Sequence, residues 1–219
     1  MVKIMKEVGL QYISQGKTPQ EHLKNIKNAC KAGCKWIQLR LKDEDIATYL
    51  DTAIQCRNIC DQYDAIMIVN DNVSVAKAVL ADGIHLGLND MNPREARKIL
   101  GDNFIIGGTA NTIENCLQHI KDGVDYIGLG PYKHTITKKK LSPVLGIDGC
   151  QNILGQLKNE NAEIPVVAIG GITEKDITTL MQTGISGIAV SGELTNQVNL
   201  EKKIETIKKL MVQKLPANR

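Results

Sequence analysis

Four segments of this chain repeat one event. A helix-like stretch closes at or beside a glycine, and a short apolar run follows at once. The segments are residues 32–40 (AGCKWIQLR), 81–87 (ADGIHLG), 122–130 (DGVDYIGLG) and 183–192 (TGISGIAVSG). Glycine after a helix accepts the left-handed conformation that ends it. An apolar run without polar alternation reads as a strand covered on both faces, the habit of parallel sheets. Parallel neighbours need a crossover, and a helix is the usual one. The repeat therefore describes a succession of β-then-α units.

The same reading places strands near residues 10–13, 36–39, 65–69, 83–86, 104–107, 126–129, 166–169 and 187–190. Helices fall near 18–32, 45–63, 73–81, 93–100, 113–122, 147–159, 174–183 and 200–213. Thr18 before Pro19, Asn92 before Pro93 and Thr173 before Glu174 are helix-start signals. Eight such units fit a closed (β/α)8 barrel or an open doubly wound sheet. The open sheet normally carries Gly-x-Gly-x-x-Gly after its first strand. Here that place holds Ser14-Gln15-Gly16-Lys17. Near-equal units favour the barrel. No linker or composition break divides the chain, so residues 1–219 are expected to form a single α/β barrel domain.

Composition narrows the partners. Lys plus Arg is 27 against 24 for Asp plus Glu, a net charge of +3 that does not suggest a polyanion binder. Aromatic residues are 3% of the chain, which leaves few stacking platforms for single-stranded nucleic acid. No apolar run approaches the roughly 20 residues of a membrane span. The opening MVKIMKEVGL carries lysine inside its apolar stretch, against a signal peptide. The expected location is the cytoplasm. Six cysteines include the pairs Cys30/Cys34 and Cys56/Cys60, each with the spacing of one helix face. They are expected to be buried free thiols in a reducing compartment. The oligomeric state is left open, a homo-oligomer included.

In a barrel the chemistry sits where strands end and βα loops begin. After the second strand, alternation puts Gln38, Arg40 and Lys42 on one side. An inward Arg is costly unless an anion or a carboxylate meets it, so these residues point to anion binding or to a structural ion pair. Asn70-Asp71 follow the third strand and Asp90 the fourth. Carboxylates at neighbouring strand ends suit magnesium, which prefers oxygen and phosphate; Asp71 could equally cap the helix near Val73. His85 lies within its strand and reads as a packed histidine. After the fifth strand Gly107-Gly108 would let a ligand approach the backbone, Thr109 offers a hydroxyl, and Asn111 or Thr112 could cap the next helix. The loop after the sixth strand carries Lys133, His134, Thr135, Thr137 and Lys138–Lys140, suited to a pyrophosphate or simply to solvent. Gly170-Gly171 and Ser191-Gly192 follow the last two strands, where barrels commonly hold phosphate.

These stations, in this order, resemble the thiamine phosphate synthase family. The matching pieces are Gln38-Leu39-Arg40-x-Lys42, Asn70-Asp71, Asp82 to Gly87 with Asp90-Met91, Gly128-x-Gly130-Pro131, Thr135-x-Thr137-Lys138, Pro165 to Ile172 and Gly187 to Ser191. The resemblance implies a (β/α)8 TIM barrel. It implies a magnesium-dependent transferase that joins hydroxymethylpyrimidine pyrophosphate to hydroxyethylthiazole phosphate, releasing pyrophosphate by a dissociative route. By motif position, Gln38, Arg40, Lys42, Asn70 and Lys138 are ligands of the pyrimidine pyrophosphate, with Arg40, Lys42 and Lys138 the catalytic cations. Asp71 and Asp90 are the magnesium ligands. Thr109 stands near the pyrimidine in place of a serine. Thr135, Thr137, Gly171, Val190 and Ser191 contact thiazole phosphate.

The chain departs from the family pattern at Leu41, Asn111, Lys133-His134 and Ser191-Gly192. The last departure leaves the phosphate donor between Ser191 and Gly192. Two other readings stand beside the synthase. A thiazole tautomerase would need no pyrophosphate cage and would want a histidine base, for which His134 is the candidate. A non-catalytic phosphometabolite-binding barrel would keep the Gly170-Gly171 cup and lose the carboxylate and lysine positions.

Overall fold

The computed structural model of the chain describes residues 9–134 and 143–212. The strands are β1 (Leu10–Ile13), β2 (Trp36–Leu39), β3 (Ile66–Asn70), β4 (Gly83–Leu86), β5 (Ile105–Ala110), β6 (Tyr126–Leu129), β7 (Val166–Ile169) and β8 (Gly187–Val190). They pair in sequence order, all parallel, and β8 returns to β1. The helices described are α1 (Pro19–Lys31), α2 (Ile46–Gln62), α3 (Val73–Ala78), α4 (Pro93–Leu100), α5 (Ile113–Lys121), α6 (Gly146–Asn159), α7 (Ile177–Gln182) and α8 (Leu200–Val212). A 3-10 turn at Glu174–Asp176 precedes α7, so the helix expected over 174–183 is in two pieces. The architecture is the closed (β/α)8 TIM barrel.

Alternation splits the core in two. Ile37, Met67, Ile84, Ile106, Ile127, Ala168 and Ile188 point outward and join the large core under the helices. Ile13, Trp36, Ile68, Ile105, Tyr126, Val167 and Ala189 point inward and fill the barrel. Neighbouring strands alternate large and small in that interior. Gly107 lies between His85 and Tyr126 in register, and a Cβ there would fall inside the Tyr126 ring. Trp36 meets Tyr126 edge-on, with ring centroids 5.2 Å apart. The glycine pair after residue 106 is thus part of β5 itself. Gly107 receives Tyr126 on the inside, and Gly108 receives the His119 ring on the outside, leaving no backbone face open to a ligand.

The repeat seen in the sequence has a structural cause at the barrel floor. Each even strand starts three residues after a left-handed residue: Gly33 (φ 93°), Leu80 (φ 50°), Gly123 (φ 78°) and Gly184 (φ 94°). In the second segment Leu80 holds this position, and Gly83 is instead the first residue of β4. The residue just before three of these strands caps the preceding one. Asp82 Oδ2 accepts the Met67 N–H (2.7 Å) and Arg57 of α2 (2.6 Å). Asp125 Oδ2 accepts the Ile106 N–H (2.8 Å) and Arg97 of α4 (2.6 Å). Ser186 Oγ accepts the Val166 N–H (3.3 Å). All six cysteines are free and buried. Cys56 and Cys60 share a face of α2, but Cys34 lies beyond the end of α1, after Gly33.

Candidate active site

The ends of β2, β3 and β4 bring cations and carboxylates to the barrel mouth. Gln38 is 1% exposed, and its Nε2 donor has no partner among the described residues. Two residues on, Arg40 is half-buried at the mouth. Burial pushes its guanidinium pKa down, and the Asp71 carboxylate opposes the shift. Lys42 is exposed beyond it, and its charge also favours ionised Asp71. Asn70 is the last residue of β3 and is buried.

Asp71 is not a helix cap. Asn72 takes that role, its side chain accepting the Val75 N–H of α3. Asp71 instead sits at φ 65° and shares a hydrogen bond with Asp90. Burial, then the Asp90 bond and charge, push its pKa up to about 7, against the pull of Lys42 and Arg40. Asp90 is held by the Gly87 N–H, which donates to Oδ2 at 2.6 Å. A Cβ on Gly87 would lie 2.8 Å from that oxygen. Two carboxylates in contact need a proton or a cation between them. Among the described residues no cluster of three or more His, Cys, Asp or Glu could form a protein-only metal cage. An all-oxygen pair at an open mouth fits magnesium, which takes its remaining ligands from water and phosphate.

Thr109 is inward-facing in β5, and its Oγ1 is 2.9 Å from His85 Nε2. His85 Nδ1 is 3.0 Å from the Tyr126 hydroxyl. His85 is therefore a packed histidine, as expected, and it fixes the Thr109 hydroxyl just under the mouth. Thr112 caps α5; Asn111 instead donates to the Gly130 carbonyl at 2.8 Å, tying β5 to β6.

The opposite side of the mouth is backbone. Gly170 (φ 97°) and Gly171 (φ 68°) turn out of β7, and a Cβ on Gly171 would come 2.9 Å from the His134 carbonyl. The loop after β6 thus packs directly on this turn, with the Lys133 N–H donating to the Gly170 carbonyl at 2.9 Å. The Lys133 ammonium pairs with Asp176 in the turn that precedes α7. Thr135, Thr137 and Lys138 lie outside the described residues. Val190 packs outward under the helices, so only its backbone faces the site. The Ser191 carbonyl accepts from Leu194 and Thr195, opening a helical turn whose first N–H groups are unused by such geometry. The Ser191 hydroxyl donates to Gln15 Oε1 at 3.2 Å. Gln15 also lines a cleft of about 400 Å³ with Lys17, Lys24 and Thr195.

Sequence reading missed the supports of this site: Gly87 under Asp90, Gln15 against Ser191, and Ser14, His22 and Tyr49 around Arg40 and Asp71. Only Gly87 had a local signal, three residues before a carboxylate in a tight turn.

A closed parallel barrel with an ionic mouth on one side and glycine turns on the other is the build of a (β/α)8 enzyme acting on anionic substrates. Comparison with known proteins carries this further. The family model described as thiamine monophosphate synthase matches residues 10–194. A Flavobacterium psychrophilum protein named thiamine-phosphate synthase is 53% identical over 190 residues, 87% of this chain and 92% of that one. Its Flavobacterium johnsoniae counterpart is 52% identical over 195 residues, 89% and 91% of the two chains. Among solved structures, a thiamine phosphate pyrophosphorylase from Pyrococcus furiosus superposes with a TM-score of 0.80 at 30% identity, covering 95% of this chain and 97% of that one. The chain belongs to the thiamine monophosphate synthase family, and its activity is thiamine-phosphate synthesis, a transferase reaction of thiamine biosynthesis. That selects the synthase over the tautomerase and binding-only readings. Among the described residues no helix is long and apolar enough to cross a membrane.

Proposed function

We propose that the ionic side of the mouth holds hydroxymethylpyrimidine pyrophosphate and that the glycine-turn side holds hydroxyethylthiazole phosphate. The contact between Asp71 and Asp90, with Arg40 and Lys42 acting on the same carboxylate, carries this reading. Asp71 and Asp90 hold magnesium. When bound, magnesium neutralises charge on the pyrophosphate oxygens. Arg40 and Lys42 bind the same group as it departs, with Lys138 joining them by motif. Gln38 offers its unpartnered Nε2 to the pyrimidine, Asn70 stands beside it, and Thr109 presents a hydroxyl held by His85.

The substitution is dissociative. The bond from the methylene carbon to the pyrophosphate oxygen breaks first, and its electron pair leaves with pyrophosphate. The electron-rich aminopyrimidine stabilises the cation, and the thiazole nitrogen then forms the new C–N bond. No strong base is needed. The enzyme contributes preorganised charge for the leaving group and a positioned nucleophile. Gly171, the Val190-Ser191 backbone, Thr135 and Thr137 hold the thiazole phosphate. Six buried, unpaired thiols suit a reducing cytoplasm.

The test is a coupling assay with both substrates and magnesium, following thiamine phosphate and pyrophosphate together. One-to-one formation, abolished by EDTA and strongly reduced in Asp71→Asn and Asp90→Asn, is expected. Undiminished turnover in both variants would remove the metal from these residues.

A further inference from the structure

Two peptide planes carry the ionic edge, and side chains from outside the mouth clamp both. The Leu39–Arg40 plane is held at each end. The Tyr49 hydroxyl of α2 lies 3.1 Å from the Leu39 carbonyl, and Ser14 Oγ accepts the Arg40 N–H at 3.0 Å. The Asn70–Asp71 plane is held by the same side chain at one end and by a backbone bond at the other. Tyr49 reaches the Asn70 carbonyl at 2.8 Å, and the Asp71 N–H donates to the His85 carbonyl at 2.9 Å. One buried phenol, its single O–H shared between the Asn70 carbonyl (the shorter branch) and the Leu39 carbonyl, thus bridges the strand ends that launch Arg40 and Asp71. Ser14 is in turn fixed by His22 of α1, whose Nδ1 is 2.8 Å from its hydroxyl. Asp71 sits in a left-handed conformation, which Asp tolerates better than most residues.

We infer that Tyr49 is a positioning residue for the pyrophosphate and metal edge, coupling Arg40 to Asp71, with Ser14–His22 securing the other end of the Arg40 peptide. The hydroxyl touches neither substrate nor metal and acts through two backbone carbonyls. Without it the ends of β2 and β3 keep their sheet bonds but lose the tie that sets the spacing of cation and carboxylate. Interactions of this kind, one step removed from a metal ligand, typically change metal affinity about 10-fold or more when lost. The inference rests on the site reading proposed above.

The experiment compares wild type, Tyr49→Phe, Ser14→Ala and Asp71→Asn as intact proteins. Manganese serves as a paramagnetic probe of metal binding, and inorganic pyrophosphate is titrated calorimetrically in the presence of magnesium. Melting curves and both KM values accompany these. Tyr49→Phe and Ser14→Ala are expected to weaken manganese and pyrophosphate about 10-fold and to raise KM for the pyrimidine pyrophosphate. KM for thiazole phosphate should stay within about twofold, since the far side of the mouth is untouched. Wild-type probe affinities in Tyr49→Phe and Ser14→Ala, with loss in Asp71→Asn, would overturn the positioning role and leave the site reading standing. An equal rise in both KM values would reduce Tyr49 to general support and overturn the role as well. Unchanged manganese binding in Asp71→Asn would overturn the site reading itself and this inference with it. Should Tyr49→Phe fail to fold, Ser14→Ala alone decides, because it acts on the same peptide from the other end.

Discussion

The burial of Asp71 against Asp90 creates a proton requirement at the barrel mouth. Its folded pKa is raised from 3.8 to about 7. Between these values the folded protein keeps a proton that the unfolded chain releases. Raising the pH across that window therefore costs stability. In metal-free protein, the stability of Asp71→Asn relative to wild type should rise from about pH 4 to about pH 7 and then level off. Denaturant melts at several pH values would show this, and a flat difference would contradict it. A cation competes with the same proton, so magnesium affinity of the wild type should climb with pH up to about neutrality, by at most about tenfold per unit for one proton. Calorimetric titration at fixed ionic strength measures it. At this scale the residue types were legible. Arg40, Asp71 and Asp90 stand out because charge at the end of a buried strand needs a reason. Their partners were not, because Gln38's missing acceptor and the Asp71–Asp90 contact exist only once neighbouring strands are in register.

Each even strand begins from the same floor device, and Leu80 is the member without glycine. At φ 50° and 76% exposed it carries the steric cost of a left-handed conformation with no burial in return. Leu80→Gly is expected to stabilise the protein by about 1 kcal/mol. Gly123→Ala and Gly184→Ala should cost a similar amount through backbone strain alone, since an added methyl there meets nothing within 4 Å. Equilibrium denaturation checks the opposite signs. The cap on the neighbouring strand is testable too. Asp125→Ala leaves the Ile106 N–H and the half-buried Arg97 without their shared acceptor, a loss of about 2 kcal/mol. The elements were largely readable because glycine, caps and apolar runs act locally; β1, β2, β4, β6, β7, β8 and α4 match the expected bounds. The largest departures, β5 running on to Ala110 and the break before α7, come from tertiary contacts. Tyr126 and His119 fill the space over Gly107 and Gly108 and make that pair strand. Asp176 bonds back to Thr173 while its other oxygen holds Lys133.

The whole molecule closes its thiols away from solvent. Cys30, Cys34, Cys56 and Cys60 lie in the core between barrel and helices, as do Cys116 and Cys150. Burial pushes the Cys34, Cys116 and Cys150 thiols up to about 11, which lowers their reactivity at neutral pH. A thiol reagent should leave the native protein unmodified and label all six cysteines in denaturant. Rapid labelling of the native state would show that the helices covering them open readily.

The sequence by itself determined the alternation of strand and helix, the left-handed stops at Gly33, Gly123 and Gly184 and the types of charge at each strand end. These depend on periodicity and backbone sterics within a few residues. The pairing of neighbouring strands decided the rest: which carboxylates touch, that Gly107 makes room for Tyr126, that Lys133 turns to Asp176, and that Tyr49 ties Arg40 to Asp71. Those contacts join residues 10 to 43 positions apart. Such distances are spanned only when neighbouring strands are in register.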